Sequence, residues 1–413
     1  MKKFQKFKPS GEKISAPPSK SLMIRALAAG LLSEKSLVID NFVLCDDSAA
    51  ALKIIKTAGK KVELSDRSVI VSGSSYFEGG TVFNCGESAL TLRLFTPLLA
   101  LQDKEFTLSG SGSLLSRPVD MMKGPLKELG VDVISEGGYL PLKSGGRLKS
   151  GRVNVDGSVT SQFLSGLLMS LPLTDGDSEI SVKELTSKKY IDLTMDLLDK
   201  FGIEIKNRDY ETFFIKGNQK YSSEKYYIEG DWSGASFFLV MGALAGGITV
   251  KGLNNKSLQA DRAILDPLGQ SGALVEEDNN SVRVSNRDLK AFTFDATHCP
   301  DLFPPLVVLA SGCRGTSEIK GVSRLRFKES DRGEALLKEF GTLGIDIKTE
   351  GDSMFVKGGK VKGGKVSSHG DHRIAMALIT ASVISGGVIE IDDVKCINKS
   401  YPQFIEHMNT LSI

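Results

Sequence analysis

The sequence predicts an α/β protein assembled from six copies of one strand–helix unit. Six segments share one layout and recur roughly every 70 residues, the period of a supersecondary repeat. The helix in each layout is apolar on nearly all sides, as a helix enclosed by other elements must be. Between these segments an amphipathic helix ends in a Gly turn and passes into an alternating strand, the third sign of a repeated unit.

The six segments are KISAPPSKSLMIRALAAGLLSEKSLVI, TVFNCGESALTLRLFTPLLALQDKEFTL, VNVDGSVTSQFLSGLLMSLPLTDGDSEISV, YYIEGDWSGASFFLVMGALAGGITV, FTFDATHCPDLFPPLVVLASGCRGTSEI and KVSSHGDHRIAMALITASVISGGVIEI. Each opens with a short strand. A polar loop follows, near Ser19, Gly86, Ser158, Asp231, Cys299 and Gly370. The apolar helix then leads into a β-branched strand. The amphipathic signature is clear in LKELGVDVIS, LLDKFGIEIK and LKEFGTLGIDIK, and weaker in LKIIKTAGKKVEL and AILDPLGQSGALVEE. Apolar residues at i, i+3, i+4 and i+7 mark its helix, Gly its C-cap, and period-two alternation its strand. Each unit therefore reads as strand, helix, strand, helix, strand, strand. The sixth lacks the second helix-and-strand half and ends at Ile413.

At 413 residues the chain is long enough for two or three domains, and 41% hydrophobic with 25% charged residues fits a soluble globular protein. Fifty-two Lys and Arg against 50 Asp and Glu leave a formal charge of +2, so bulk electrostatics give no reason to expect nucleic acid or a membrane as partner. An anionic ligand would have to be held by a local cluster of bases. Five scattered cysteines form no CxxC pair, which favours reduced thiols in a cytoplasm over a disulfide framework or zinc site. The basic start MKKFQKFKPSGEKIS leads into no apolar signal region, and no apolar run is long enough to span a membrane. A plastid transit segment is also absent, which implies a microbial source or a segment already removed.

The loops carry charges that a purely structural repeat does not need. Apolar helices preceded by Ser, Asp, Thr or Gly place N-termini, with unpaired N–H groups and positive dipole ends, where anions could bind. A solenoid without a site is the alternative. PPSKSLMIR puts Lys20 and Ser21 at a helix start, with Arg25 one turn further among apolar neighbours, a costly place for a cation unless an anion meets it. A solvated lysine is the plainer reading of SKS alone. GESALTLRLF buries Arg93 in a second apolar helix, where a structural ion pair is as good a reading as a ligand contact. SGSGSLLSRP offers Arg117 for a phosphate or carboxylate. TSQFLSG supplies Thr160, Ser161 and Gln162, either as donors or as ordinary caps. CPDLFPP contributes Asp301, FKESDR contributes Lys328, Glu329, Asp331 and Arg332, GDHRIAMA contributes Arg373 and CINKSYP contributes Lys399. Singly, such charge runs are usually solvated faces. At corresponding points of different repeats they suggest a shared site for ligands carrying phosphates and carboxylates, with carboxylates able to carry protons. No P-loop, GxGxxG, GxSxG, HExxH or EF-hand pattern occurs, and His369 and His372 in HGDH are a weak metal signal. Neither metal nor cofactor is expected.

PPSKSLMIR, SGSGSLLSRP, VTSQFLSGLL, SKKYID, EGDWSGAS, PDLFPPL, KESDR, GDHRIAMA and NKSYPQF, in this order from residue 17 to 404, resemble the successive motifs of the 3-phosphoshikimate 1-carboxyvinyltransferases within the enolpyruvyl transferases. The resemblance implies a two-domain inside-out α/β barrel of six βαβαββ-type repeats, three per domain. Residues 1–19 and 230–413 would form a discontinuous domain and 20–229 an inserted one, with the active site in the cleft between them. It implies transfer of an enolpyruvyl group from phosphoenolpyruvate to the 5-hydroxyl of shikimate 3-phosphate, without metal or covalent intermediate, in a cytoplasmic monomer. By position, Asp301 would take the hydroxyl proton, Glu329 would exchange the proton at C3, and Lys20 would bridge both ligands; motif matching leaves open which of them moves which proton. Arg117, Arg332, Arg373 and Lys399 match the phosphoenolpyruvate clamp, with Gln162 reaching both ligands. Ser21, Arg25, Thr160, Ser161, Ser187, Asp301 and Lys328 match the shikimate 3-phosphate site.

Two stretches depart from the family pattern. GESALTLR stands where Asn-Ala-Gly-Thr is usual, so Glu87 replaces Asn and Ala89 the tight Gly beside the phosphoenolpyruvate phosphate. The methyl of Ala89 is expected to narrow that space and to exclude the slightly longer inhibitor glyphosate in part. Arg324 occupies a position where a polar Asn often contacts shikimate 3-phosphate, and it is left out of the site. The nearest rival is the related transferase acting on a UDP-sugar, which usually carries a Cys in a loop shortly before an Arg-Pro. SGSGSLLS before Arg117–Pro118 has none. A non-catalytic anion-binding scaffold is the other rival, and it leaves Asp301 and Glu329 without a purpose.

Overall fold

In the computed structural model, which describes residues 1–9, 13–285 and 287–411, the chain divides into two compact units. One is Met1–Ser19 with Glu229–Ile413, the other Lys20–Ile228. Each unit encloses three apolar helices. In the inserted unit these are Lys20–Leu32, Ala89–Leu99 and Gln162–Ser170; in the discontinuous one, Trp232–Ala245, Phe303–Ser311 and His372–Ala381. Their sequences explain their place. WSGASFFLVMGALA has no polar face, and the helix is buried from Trp232 to Leu244. Asp231 caps it by accepting from the Gly234 amide at 3.0 Å. Burying such a side chain stabilises by about 1.5–3 kcal/mol, which only an enclosed helix collects on every face. Two inner helices touch closely: a Cβ on Gly166 would lie 2.6 Å from the Leu94 carbonyl and 2.8 Å from Pro97, so only glycine permits that approach.

Amphipathic helices lie outside the inner ones. Lys188–Lys200 buries Ile191, Thr194, Leu197 and Leu198 along one stripe and exposes its lysines. The Gly stops read from the sequence bear out: Gly59, Gly130, Gly202, Gly272 and Gly344 follow outer helices with φ between +76° and +93°.

Each full repeat forms a four-stranded sheet with one parallel and two antiparallel pairings. In the third repeat, for example, Arg152–Asp156 runs parallel to Ser178–Lys183, with Val153 opposite Ile180, and Thr212–Ile215 runs antiparallel to both Ser178–Lys183 and Ile205–Arg208. Assignment of the opening strands to their own repeats is corrected at two places. Lys13–Ser15, read as the first strand of the first repeat, pairs in parallel with Ile248–Lys251 of the fourth. Lys225–Tyr227, read as the first strand of the fourth repeat, pairs with Leu37–Asp40 of the first. The chain changes unit after each of these strands, so the two repeats exchange them. The incomplete sixth repeat gains Lys2–Phe4, antiparallel to Ile389–Ile391, in a three-stranded sheet. All five cysteines are free thiols, and no helix among the described residues is long and apolar enough to cross a membrane.

Candidate active site

The expected site residues fall into two groups, one on each unit: most lie at or beside the starts of inner helices, Ser187, Lys328, Glu329 and Arg332 at the starts of amphipathic ones, and Arg117 and Lys399 on short turns. In the inserted unit Lys20 opens the first inner helix, and its Nζ lies 2.9 Å from Asp47 Oδ2. Asp47 is buried in the first turn of Asp46–Thr57. Sequence reading missed it, because two aspartates at a helix start look like ordinary dipole complementation. Arg25 is 1% exposed. Its guanidinium donates to Thr194 Oγ1 at 2.9 Å, to Ser165 Oγ at 3.4 Å and to the carbonyls of Ser21 and Tyr190 at 3.0 and 3.2 Å. Burial lowers its pKa to about 10, so it stays cationic at neutral pH among neutral acceptors. Neutral oxygens of the protein hold this charge in place.

Thr160 Oγ1 accepts from the Gln162 amide at 3.2 Å, and Ser161 is buried at the cap of Gln162–Ser170. Arg93, left open as ion pair or ligand contact, donates to Gln162 Oε1 at 3.1 Å and to the Pro118 carbonyl at 2.9 Å. It therefore braces both Gln162 and the loop that carries buried Arg117. That loop has a second anchor in Glu87, whose Oε2 accepts from the Ser113 amide and hydroxyl at 3.1 and 2.9 Å. A Cβ at Gly112 would fall 2.3 Å from this carboxylate and displace it, and the φ of +52° there also favours glycine. Glu87 thus has a positioning role that its departure from the family pattern did not suggest. Ala89 is buried at the first turn of its helix, whose cap Ser88 accepts from the Thr91 amide. Ser187 caps the helix Lys188–Lys200 from the left-handed region at φ +57°, a strained setting for a serine and one often found at functional sites.

In the discontinuous unit the bases and acids form one network around Arg332, which is 1% exposed. Its Nη1 meets Asp301 Oδ1 at 2.7 Å, its Nη2 meets Glu329 Oε2 at 2.6 Å, and its Nε meets Asp371 Oδ2 at 2.7 Å. Asp371 also caps the last inner helix, accepting from the Arg373 amide at 2.9 Å. Asp301 reaches Arg373 Nη2 at 3.0 Å and Lys328 Nζ at 3.7 Å. Burial would raise the Asp301 pKa, but Arg373, Lys328 and Arg332 outweigh it and hold the carboxyl well below the usual range. Arg332 is likewise held cationic: burial opposes its charge, and Asp371, Glu329 and Asp301 more than compensate. Arg373 Nη1 donates to the Ser233 hydroxyl, and Lys399 is buried at the end of the turn Lys395–Lys399.

The two histidines of HGDH part company. His369 Nε2 pairs with buried Glu339 at 2.8 Å, while His372 is buried beside Asp371. Glu329, Asp371 and His372 do bring ligand atoms within 4.8 Å of one another. Arg332 already neutralises both carboxylates, so a cation there would compete with a guanidinium. The donor set is that of an ion-pair cluster.

A solved EPSP synthase from Acinetobacter baumannii has the same architecture, with a TM-score of 0.84 at 25% identity over 99% of this chain and 97% of that one. Inner helices, outer sheets and charged helix starts place the protein in the class of enolpyruvyl transferases with the two-domain inside-out α/β fold. Two curated relatives named 3-phosphoshikimate 1-carboxyvinyltransferase are closer in sequence. The one from Clostridium kluyveri is 41% identical over 96% of this chain and 94% of its own, and that from Clostridium acetobutylicum is 40% identical over 96% and 94%. The family model for EPSP synthase (3-phosphoshikimate 1-carboxyvinyltransferase) matches residues 5–408, and the chain belongs to that family.

Proposed function

We propose that the chain transfers the enolpyruvyl group of phosphoenolpyruvate to the 5-hydroxyl of shikimate 3-phosphate, releasing phosphate and 5-enolpyruvylshikimate 3-phosphate on the route to chorismate and the aromatic amino acids. The observation that carries this reading is the Asp301–Glu329–Arg332–Arg373–Lys328 network: acids and bases packed together at helix starts. The hydroxyl oxygen attacks C2 while C3 gains a proton; the tetrahedral adduct then loses phosphate from C2 and a proton from C3. Asp301 serves the hydroxyl, Glu329 serves C3, and Lys20, held by Asp47, stabilises charge at the reacting oxygens.

The ion pairs supply a reason for these carboxylates to act only with ligand bound. Without ligand, cations depress the Asp301 pKa and make it a poor base. Phosphate and carboxylate groups docking on Arg117, Arg332, Arg373, Lys399 and Gln162, and on Ser21, Arg25, Thr160, Ser161, Ser187 and Lys328, share those cations. The basicity of Asp301 then rises toward the working range. The reading draws its residues from both units, needs neither metal nor cofactor, and takes the protein as a cytoplasmic monomer.

Phosphate release from purified protein mixed with shikimate 3-phosphate and phosphoenolpyruvate tests it directly. No release overturns the assignment, and release with a UDP-sugar in place of shikimate 3-phosphate transfers it to the rival. Ala89 gives a second expectation. Its methyl should narrow the phosphoenolpyruvate end of the site, so Ala89→Gly is expected to tighten glyphosate inhibition by about tenfold or more, as relief of a one-methyl clash worth ~1–3 kcal/mol allows. An unchanged inhibition constant rules this out.

A further inference from the structure

Asp261 is a carboxyl that the reaction above does not use. It lies on the short turn Ala260–Ile264 and is 3% exposed. Its Oδ1 is buried with no hydrogen-bond partner among the described residues. A buried carboxylate oxygen left bare costs far more than the same oxygen on a neutral acid. The Ser233 hydroxyl, which accepts from Arg373, faces this carboxyl, and Asp301 and Arg373 are its charged neighbours. We propose that Asp261 is a positioning residue that keeps its proton when the anionic substrate binds, and that by staying neutral it leaves Arg373 able to grip that substrate.

The surroundings explain why this acid, and not Asp301, holds a proton. Three cations meet Asp301. Asp261 has Arg373 at a remove, with Asp231 from the cap of Trp232–Ala245 and Asp301 from the turn Pro300–Leu302 as like charges. The remaining groups on neighbouring elements do not alter that balance. Arg262 on its own turn reaches Glu277 at 3.2 Å and the Trp232 ring. The Cys299 thiol is kept neutral by burial and by surrounding carboxylates, Asp266 among them. Burial, with Asp301 adding to it, lifts Asp261 to about 7, against the opposing pull of Arg373 and Ser233. The sign follows. Below about pH 7 the acid is neutral and Arg373 balances Asp301 while still facing the ligand; above it a further negative charge appears beside Arg373, and an anion is repelled.

The inference rests on the reading of Arg373 as a phosphoenolpyruvate clamp. Its test is the KM for phosphoenolpyruvate from about pH 7 to about pH 9, where the substrate phosphate is already mostly ionised. For the unaltered protein KM should rise on the order of tenfold across that range, with kcat changing much less, as one titration linked to binding predicts. Asp261→Asn, permanently neutral and of the same shape, should hold the low-pH KM throughout. A flat profile in the unaltered protein, or the same rise in the Asn variant, overturns the inference. Arg373→Lys separates the two layers. Raised KM in that variant beside an unaltered Asp261→Asn slope overturns the Asp261 role alone, whereas unchanged KM overturns the clamp and the role together.

Discussion

Replacing Arg332 by Met should lower the stability of the discontinuous unit by about 3–5 kcal/mol at neutral pH, the usual consequence of removing one partner from a buried ion pair. The substitution keeps most of the side-chain volume, so little of this loss is a cavity. It leaves Asp301, Glu329 and Asp371 facing one another without the guanidinium that each touches within 2.7 Å. Asp371 is the worst placed, being fully buried. Trp232 is the protein's only tryptophan and lies in the same unit, so its fluorescence during urea unfolding reports the affected part. The pH dependence gives a second reading with a definite sign. In the unaltered protein Asp301 has a depressed pKa, so its stabilisation is present above the unfolded value of about 4 and is lost as pH falls through the folded value. In the variant these carboxylates lose the cation that offsets their burial and mutual repulsion, and protonation relieves both, so its deficit should shrink as pH falls from about 7 toward 5. A loss below about 1 kcal/mol that is the same at every pH would mean the network does not hold this unit together.

The network also marks how far sequence reading reaches. Periodicity carried the repeats, the inner helices and the Gly-capped outer ones, because apolar pattern and Gly stops are local properties. The exchange of Lys13–Ser15 and Lys225–Tyr227 between repeats was not legible from the repeat pattern, which opens the first and fourth repeats on them, because the choice is made by where the chain changes unit. Among site residues, those on recurring loops stood out as charges beside apolar helices. Their supports did not. Asp47 looks like a cap and Glu87 like a family misfit. Asp261 sits in SLQADRA, a stretch with no apolar period and an ordinary charge pair. What makes these residues important is a partner far along the chain: Lys20 for Asp47, Ser113 for Glu87, Ser233 and Arg373 for Asp261.

Glu329→Gln should lower kcat by about 10²–10⁴-fold while leaving the protein folded, the range expected when a positioned acid–base group loses its proton. Glutamine has the shape of glutamate and keeps an oxygen that can accept from Arg332 Nη2, which now stands 2.6 Å from Glu329 Oε2. The ion pair weakens, but Asp301 and Asp371 still hold the guanidinium. Binding of the substrates should therefore change little, and the loss should appear in kcat and kcat/KM together, as it does when an interaction belongs to the transition state. A second measurement isolates the proton itself. In deuterated water, turnover that protonates and deprotonates C3 puts deuterium into the vinyl group of recovered phosphoenolpyruvate and product, and the Gln variant should slow this exchange as much as it slows phosphate release. Asp301→Asn is the counterpart: it should impair attack by the 5-hydroxyl, yet once the adduct is supplied preformed, its breakdown with exchange at C3 should proceed far better than in Glu329→Gln. Should Glu329→Gln keep kcat within about threefold of the unaltered protein, proton transfer at C3 belongs to another group.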